Sequence, residues 1–244
     1  MTSTSEIHVQ GTSNDPAVQA RAVLQDRDDE LLAELAAKTA LVVDLHLEPV
    51  AREAAQDSLV RFCLQRVLPH LEMVDRAVYA VAAGAAETRL LVRALRALHV
   101  LVADAIDGVN RAESSGELAA AAHATAAVLG ARNEVDHAVL LPALATMPGV
   151  DLPTLAQDIA TLRGGGSLAA PDLLDVRKIP HGQRHPRIFG TYARLAPGQS
   201  FVLINNHDPK PLRQEFDTVY PGQYSWEYLE TGPAQWQVRI GHAG

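Results

Sequence analysis

The stretches LLDVRKIPHGQRHPRIF, residues 173–189, and SFVLINNHDPKPL, residues 200–212, predict two strands that are each followed by a helix. LLDV and SFVLI are short apolar runs of the kind that form buried strands. We expect helices to start near Pro186 and Pro209, because proline is favoured at the first helical position, with Asp208 as an N-cap. QYSWEYL and AQWQVRI flank ETGP and predict a hairpin. Residues 173–244 are therefore expected to form a small α+β domain of order β-α-β-α-β-β.

Polar side chains follow both of the first two predicted strands. If those strands are parallel, their carboxyl ends share the sheet edge where open α/β sheets bind ligands. We expect this edge to gather a candidate site: His181, Arg184, His185, His207 and Asp208.

Three interpretations of this edge remain open. The three histidines are typical ligands of iron, copper or zinc, with Asp208 as a further ligand. Alternatively, the two helix N-termini and the basic residues Arg184 and Lys210 hold an anion or an acidic small molecule, with Arg184 and Asp208 as the candidate cofactor-binding residues. In the third interpretation these residues cap helices and form ion pairs, and the edge has only a structural role.

Composition divides the chain into two parts. Residues 1–167 contain two aromatic residues, Phe62 and Tyr79, and carry 13 Lys and Arg against 22 Asp and Glu. The remaining residues contain nine aromatics and 8 Lys and Arg against 7 Asp and Glu. The glycine run in RGGGS, residues 163–167, predicts a flexible linker over residues 148–172, which also holds a short helix, LPTLAQDIATL.

Charge and cysteine content restrict the class of protein. A net charge of -8 is unfavourable for nucleic-acid binding. The single cysteine, Cys63, excludes an internal disulfide and is typical of a reducing compartment. The sequence has no apolar run long enough for a membrane span, and its polar start does not resemble a signal peptide. We therefore expect a cytoplasmic protein without a membrane partner.

Between residues 28 and 147, apolar residues recur at helical spacing. Breaks at Pro49, Gly84 and Asn110 to Ser115 predict four long helices with short connections, which indicates an antiparallel four-helix bundle. Residues 1–27 are expected to be a flexible tail. A bundle that serves as a dimerisation scaffold would leave an apolar stripe exposed on one helix, so a homo-oligomer is a further expectation.

The segments VLPHLEMVDRAVYAVA, ETRLLVRALRALHVLV and ARNEVDHAVLLPAL resemble helices of hemerythrin-like (HHE cation-binding) domains. By this resemblance, His70 and His99 match metal-ligating histidines of the second and third helices. Val74 stands where the family has a glutamate, Arg132 stands at the fourth-helix histidine position, and Asp136 stands at the carboxylate position. The resemblance implies a degenerate metal site at His70 and His99, with iron favoured.

Residues 173–240 resemble the bacterial domain of unknown function family 2249, through LLDVRKIPHGQRHPRIF, NNHDPKPL and SWEYLETGPAQWQVRI. That family is similar to the TusA-like sulfur-carrier fold and often accompanies hemerythrin-like domains. Aligned on that fold, His181 falls at the position of the sulfur-carrying cysteine. Sulfur relay needs a thiolate, so the resemblance implies a retained scaffold with different chemistry.

Two functions follow as hypotheses. One is a metal-binding protein, with iron favoured, in redox or small-gas sensing or handling. The other is a metal-dependent or anion-binding enzyme that uses His181, His185 and His207, although no motif in the sequence names a reaction.

Overall fold

A computed structural model describes residues 14–44 and 46–243 of the protein. These residues form a helical N-terminal region followed by a small α/β domain with a four-stranded mixed sheet. Within the described residues, no helix has the length and apolarity needed to cross a membrane.

The first helix, α1 (Pro16–Val42), begins well before the predicted start at Asp28. Asp15 caps it by accepting a hydrogen bond from the Ala17 amide at 2.8 Å, and Pro16 occupies the first helical turn. Both are strong helix-start signals. Residues 16–27 are therefore helical and not part of a flexible tail, while the predicted tail over residues 1–13 lies outside the described residues.

The second helical run continues without a break from Pro49 to Ala83. It comprises α2 (Pro49–Phe62), a π-helical turn (Cys63–Val67), α3 (Leu68–Val74), a second π-helical turn (Asp75–Tyr79) and α4 (Ala80–Ala83). The first π turn precedes Pro69, which lacks the N–H that an α-helical turn would use. The helical run therefore accommodates Pro69 without ending.

Two further helical runs complete the predicted set of four. The third is α5 (Ala86–Arg111). The fourth comprises α6 (Ser115–Val135), a π-helical turn (Asp136–Leu140) and α7 (Leu141–Thr146). Ser114 and Glu117 form a capping box at the start of α6, which fixes the short connection from α5.

The segment predicted as a flexible linker is packed against the helical region. Helix α8 (Leu152–Arg163) is capped by Asp151 and buries Leu152, Leu155 and Ile159. It packs on α1, and Leu168 in the chain beyond it is buried. Helix α8 is the short helix expected in this segment, and its packing on α1 joins it to the helical region, whereas the glycine run over residues 163–167 is exposed.

The α/β domain has the predicted order β-α-β-α-β-β. Its elements are β1 (Leu173–Asp175), α9 (His181–Ala193), β2 (Ser200–Asn205), α10 (Lys210–Val219), β3 (Tyr224–Thr231) and β4 (Trp236–His242). The sheet order is β1-β2-β4-β3, with β1 and β2 parallel as expected and the β3–β4 hairpin antiparallel.

The start of α9 differs from the prediction, whereas α10 begins within one residue of the predicted Pro209. Helix α9 begins at His181, so Pro186 lies inside it, early enough that a single intrahelical hydrogen bond is lost. Helix α10 begins at Lys210 with Pro209 at the cap position, and the Asp208 side chain makes no capping bond there. Asp208 instead accepts a hydrogen bond from the Tyr228 hydroxyl at 2.9 Å.

The helical region and the α/β domain share one hydrophobic core. Tyr79 and Leu140 of the helical region lie in the same buried cluster as Phe189 and Phe216 of the domain. At Gly84 the approach is so close that an added Cβ would stand 2.8 Å from the backbone carbonyl of His185. The two parts are therefore fixed against each other.

Candidate functional site

A group of buried polar side chains lies where the sequence predicted the metal site of the helical region. We call it the Asp28 cluster; its members come from the first, second and fourth helical runs and are Asp28, His70, Tyr79, Arg132, Asn133, Asp136 and His137.

Asp28 is the hub of the cluster. Its carboxylate accepts hydrogen bonds from His70 Nε2 at 2.7 Å, His137 Nε2 at 3.0 Å and Arg132 Nη1 at 3.1 Å. The Asn133 side chain donates to the backbone carbonyl of Asp28 at 3.3 Å. One carboxylate of the first helical run therefore joins the second and fourth runs.

Arg132 is fully buried, with 0% of its side chain exposed. Besides Asp28 it donates from Nε to the Tyr79 hydroxyl at 3.1 Å and forms an ion pair with Asp136. The Tyr79 hydroxyl in turn donates to Asp136 Oδ2 at 2.7 Å. The guanidinium thus lies between two carboxylates, which satisfies the requirement that a buried charge be paired.

The charges of the cluster shift its pKa values in different directions. Burial works to raise the pKa of Asp28, but the Arg132 charge and the hydrogen bonds from His137 and His70 hold it well below its usual range. At Asp136 burial prevails over the Arg132 charge, and the pKa is raised. The hydrogen bond to Asp28 raises the pKa of His137. Asp28 and Arg132 therefore form the principal charge pair.

His99 lies beside the cluster without joining its hydrogen bonds. Its ring stacks on Tyr79 with the centroids 5.1 Å apart. Burial, together with the charges of Arg132 and Arg96, lowers the pKa of His99 to about 3, so the ring is neutral. Of the two predicted metal ligands in the helical region, His70 hydrogen-bonds within the cluster and His99 packs against its edge.

A small chamber adjoins the cluster between α1, α3 and α8. Its volume is about 50 Å³, its walls include Leu24, Val74 and Ile159, and it reaches Asp28 and Arg132. A water needs about 10–15 Å³ by this measure, so the chamber has room for a few waters or a diatomic molecule.

In the α/β domain, the predicted site residues have different partners. His185 points to α10, where its Nδ1 lies 2.9 Å from Glu215 Oε2, and Arg89 of the helical region pairs with the same carboxylate at 3.0 Å. His207 Nδ1 contacts its neighbour Asn206 at 2.8 Å, and His181 is exposed.

The two predicted cofactor-binding residues have protein partners. Arg184 donates from Nε to the backbone carbonyl of Ile179 at 2.8 Å. Asp208 pairs with Lys210 at 3.1 Å in addition to its bond from Tyr228. Across the described residues, no three His, Cys, Asp or Glu side chains are arranged so that they could hold a metal ion. A metal site at His181, His185 and His207 therefore stays a prediction that this arrangement does not support.

Comparison with known proteins agrees with the C-terminal part of this description. Residues 173–242 match the family described as Uncharacterized conserved protein (DUF2249). The match covers the sheet and both of its helices, so we call this part the DUF2249 domain. The comparisons found no similar curated protein and no similar solved structure.

A cleft of about 920 Å³ opens where the helical region meets the DUF2249 domain. We call it the junction groove. Its apolar lining includes Leu71 and Ala103 of the helical region and Val219 of the DUF2249 domain. Its polar lining is Glu72, Asp75, Arg76, Arg96, His99, Tyr220, Gln223 and His242.

The two arginines of the junction groove differ in their partners. Arg96 donates to both oxygens of Asp75, at 2.6 and 3.2 Å, and lies 5.6 Å from the centroid of the Tyr220 ring. Arg76 is exposed, and its guanidinium has no ion pair or hydrogen bond within the described part of the chain. The groove therefore combines an apolar wall with two charges that are unpaired within the described residues, those of Arg76 and, one helical turn before it, Glu72.

Sequence reasoning missed the roles of Asp28 and Arg132. Asp28 stands in DRDDE at the predicted start of the first helix, and Arg132 stands where the resemblance places a ligating histidine. The available signal was their spacing, because both fall on the apolar face of their helices together with Leu24, Leu31 and Leu129. A charged residue on such a face requires a buried partner.

Proposed function

We propose that the helical region is a hemerythrin-like four-helix bundle in which Arg132 replaces a metal ion. The bundle interpretation is supported by four helical runs with short connections, in which the first packs on the second and fourth and the third packs on the fourth. The replacement is supported by the position of the guanidinium, which contacts Asp28 and Asp136 as a cation would.

A metal ion does not fit the Asp28 cluster with Arg132 in place. The guanidinium already pairs with both Asp28 and Asp136, so neither carboxylate is free to ligate a metal ion. A di-iron or similar site needs several ionised carboxylates, and it needs open space that here is filled by the arginine. The cluster therefore has a structural role in this proposal.

We further propose that the protein binds a small acidic molecule with an apolar part in the junction groove. The observation that carries this proposal is the exposed Arg76 guanidinium beside an apolar wall, in a cleft shared by both regions. Ligand sites are commonly concave, mostly apolar and located between domains, with a few polar groups that orient the ligand. Arg76 would bind a carboxylate or phosphate, since a planar guanidinium matches both groups.

Binding of anilinonaphthalene sulfonate, an acidic fluorescent probe with an apolar part, tests this proposal in the full-length protein. We expect Arg76→Ala to weaken probe binding by about tenfold or more, which corresponds to the loss of one charge-assisted hydrogen bond. Ala103→Trp should block binding by filling the groove. Arg61→Ala removes an exposed arginine of the same helical run outside the groove and serves as the control.

The proposal fails if the probe binds wild type, Arg76→Ala and Ala103→Trp with equal affinity. It also fails if Arg61→Ala weakens binding as much as Arg76→Ala, since the effect would then be one of net charge. Competition by carboxylates and phosphates would next define the natural ligand class.

Metal binding, with iron favoured, in redox or small-gas sensing remains the second candidate function. The observation that favours it is the chamber of about 50 Å³ beside the Asp28 cluster, which has room for a diatomic molecule. The metal content of the purified protein separates metal binding from the proposal that Arg132 occupies the cation position.

A further inference from the structure

Helix α5 exposes an apolar stripe on the side that faces away from the core. Leu90 is 74% exposed and Leu101 is 50% exposed, and Ala94 and Ala97 between them are also exposed. The intervals of four, three and four residues place these side chains on one helical face. The opposite face of the same helix buries Val92, Leu95, Val102, Ile106 and Val109. Helix α5 therefore buries one apolar face and carries a narrower apolar stripe on its exposed side, which is uncovered within the described part of the protein.

Two charges of opposite sign flank this stripe. Arg93 lies toward the start of α5 and Asp104 toward its end, and both are exposed. Neither has an ion pair or side-chain hydrogen bond among the described residues. By contrast, Asp107 and Arg111 in the last turns of the helix pair with each other at 2.7 Å. Arg93 and Asp104 are about 16 Å apart along the helix, too far to pair within one chain.

We propose that the α5 stripe is the interface of a homodimer in which two copies of α5 pack antiparallel. A two-fold axis midway between Leu98 and His99 places Arg93 of each copy opposite Asp104 of the other. The two residues also lie on the same side of the stripe, about 20° apart around the helix, because successive residues advance by about 100°. The face is therefore complementary to itself in charge.

The shape of the stripe supports the same pairing. Ala94 and Ala97 lie at its centre, and small residues let two helix axes approach closely. In the antiparallel arrangement Leu101 packs over the alanines of the other copy, which covers the large apolar residue nearest the axis. A second copy in this closed two-fold arrangement pairs both charges and covers Leu101 and the two alanines, while Leu90 lies opposite Asp107 near the edge of the interface.

One helix face per copy makes a small interface. Specific complexes of this size lie near or below about 1,200 Å² of buried surface and are commonly transient. We therefore expect a reversible dimer with a dissociation constant on the order of micromolar. The subunit mass is 26.2 kDa, so the mass measured by light scattering or sedimentation should rise from this value toward twice this value with concentration.

Single substitutions test the apolar part of the interface. Ala97→Glu and Leu101→Glu should each weaken dimerisation by at least about tenfold, because each buries a charge against the other copy. Val50→Glu is the matched control, since Val50 is 79% exposed on α2 and lies outside the stripe. Circular dichroism of each variant verifies that its fold is retained, which is expected because all of these positions are exposed.

A mixing experiment tests the charge pairing. Arg93→Glu alone and Asp104→Arg alone should each weaken self-association by about tenfold, because like charges then face each other across the axis. An equimolar mixture of the two variants should form a heterodimer with near wild-type affinity, because all facing charges are then opposite. This rescue requires the two residues to meet between copies.

Three results would overturn the proposal. The first is a wild-type protein that stays at the subunit mass up to hundreds of micromolar, well above the expected range. The second is a dimer whose affinity is unchanged by Ala97→Glu and Leu101→Glu. The third is a mixture of the charge variants that associates no better than either variant alone.

Discussion

Removal of the Arg132 charge is the perturbation with the largest expected effect on stability. In Arg132→Met the side chain keeps a similar length, but Asp28 and Asp136 lose their cation while both remain buried. Breaking a buried ion pair by removing one partner costs about 3–5 kcal/mol. His70 and His137 still donate to Asp28, and Asp136 has a raised pKa and can take up a proton. We therefore expect the free energy of unfolding to fall by about 3 kcal/mol at pH 7, which is the lower end of that range.

The pH dependence of this loss follows from the pKa shifts. In the wild type the pKa of Asp28 lies below its ordinary value of 3.8, so the ion pair contributes fully above that pH and is lost on further acidification. Without Arg132 the pKa of both carboxyls rises, and protonation removes the uncompensated charges. The stability difference between wild type and Arg132→Met should therefore shrink as the pH falls from 8 to 5.

Urea unfolding followed by circular dichroism at pH 5 and pH 8, together with thermal midpoints, measures these differences. A loss of about 3 kcal/mol corresponds to a midpoint shift of about 6–12 °C for a chain of this size. Arg111→Met is the control, because its pair with Asp107 is largely exposed and should contribute under about 0.5 kcal/mol. If Arg132→Met were no less stable than Arg111→Met, or if its deficit grew on acidification, the assignment of the buried charge pair would be refuted.

Three further predictions concern the core and its boundary. Gly84→Ala should lower the free energy of unfolding in urea by about 1–3 kcal/mol, because a Cβ there meets the backbone of α9. Gly116→Ala is the control, and it should be neutral or slightly stabilising because the space around Gly116 is open. The Cys63 thiol is buried, and burial raises its pKa to about 12. It should therefore not react with a thiol reagent at pH 8 until urea unfolds the protein, and rapid labelling of the native state would contradict this expectation. Glu215→Gln should cost about 1 kcal/mol at pH 7: burial works to raise the pKa of Glu215, but the hydrogen bond with His185 and the Arg89 charge hold it below its ordinary value of 4.5. The difference should therefore vanish as the pH falls through that lowered pKa, and a constant difference would exclude these contacts as the cause.

The elements of the DUF2249 domain could be predicted because local signals agreed with the tertiary structure. β2 is a compact apolar run, and the alternation of Tyr224–Thr231 and Trp236–His242 matches a half-buried hairpin. The start of α9 was misplaced because Pro186 was treated as a boundary. In the structure the helix tolerates it within its second turn, since one lost hydrogen bond is offset by the burial of Ile188 and Phe189.

The candidate site could be predicted only in part, because its partners come from distant parts of the chain. The position of the cluster in the helical region was anticipated through His70, Arg132 and Asp136. Its hub, Asp28, lies more than 100 residues from Arg132, and no local pattern indicates that pair. In the DUF2249 domain, the sequence places His185 at the sheet edge of the candidate site, but in the structure His185 pairs with Glu215 of α10 at the junction with the helical region.

Elemental analysis of the full-length protein purified without oxygen tests most directly whether Arg132 supplies the charge of the Asp28 cluster in place of a metal. We predict under about a tenth of an equivalent of iron, copper or zinc per chain, because the arginine fills the cation position and the ligand set is incomplete. About one equivalent or more of iron, lost in His70→Ala and retained in His123→Ala at an exposed position, would contradict the account.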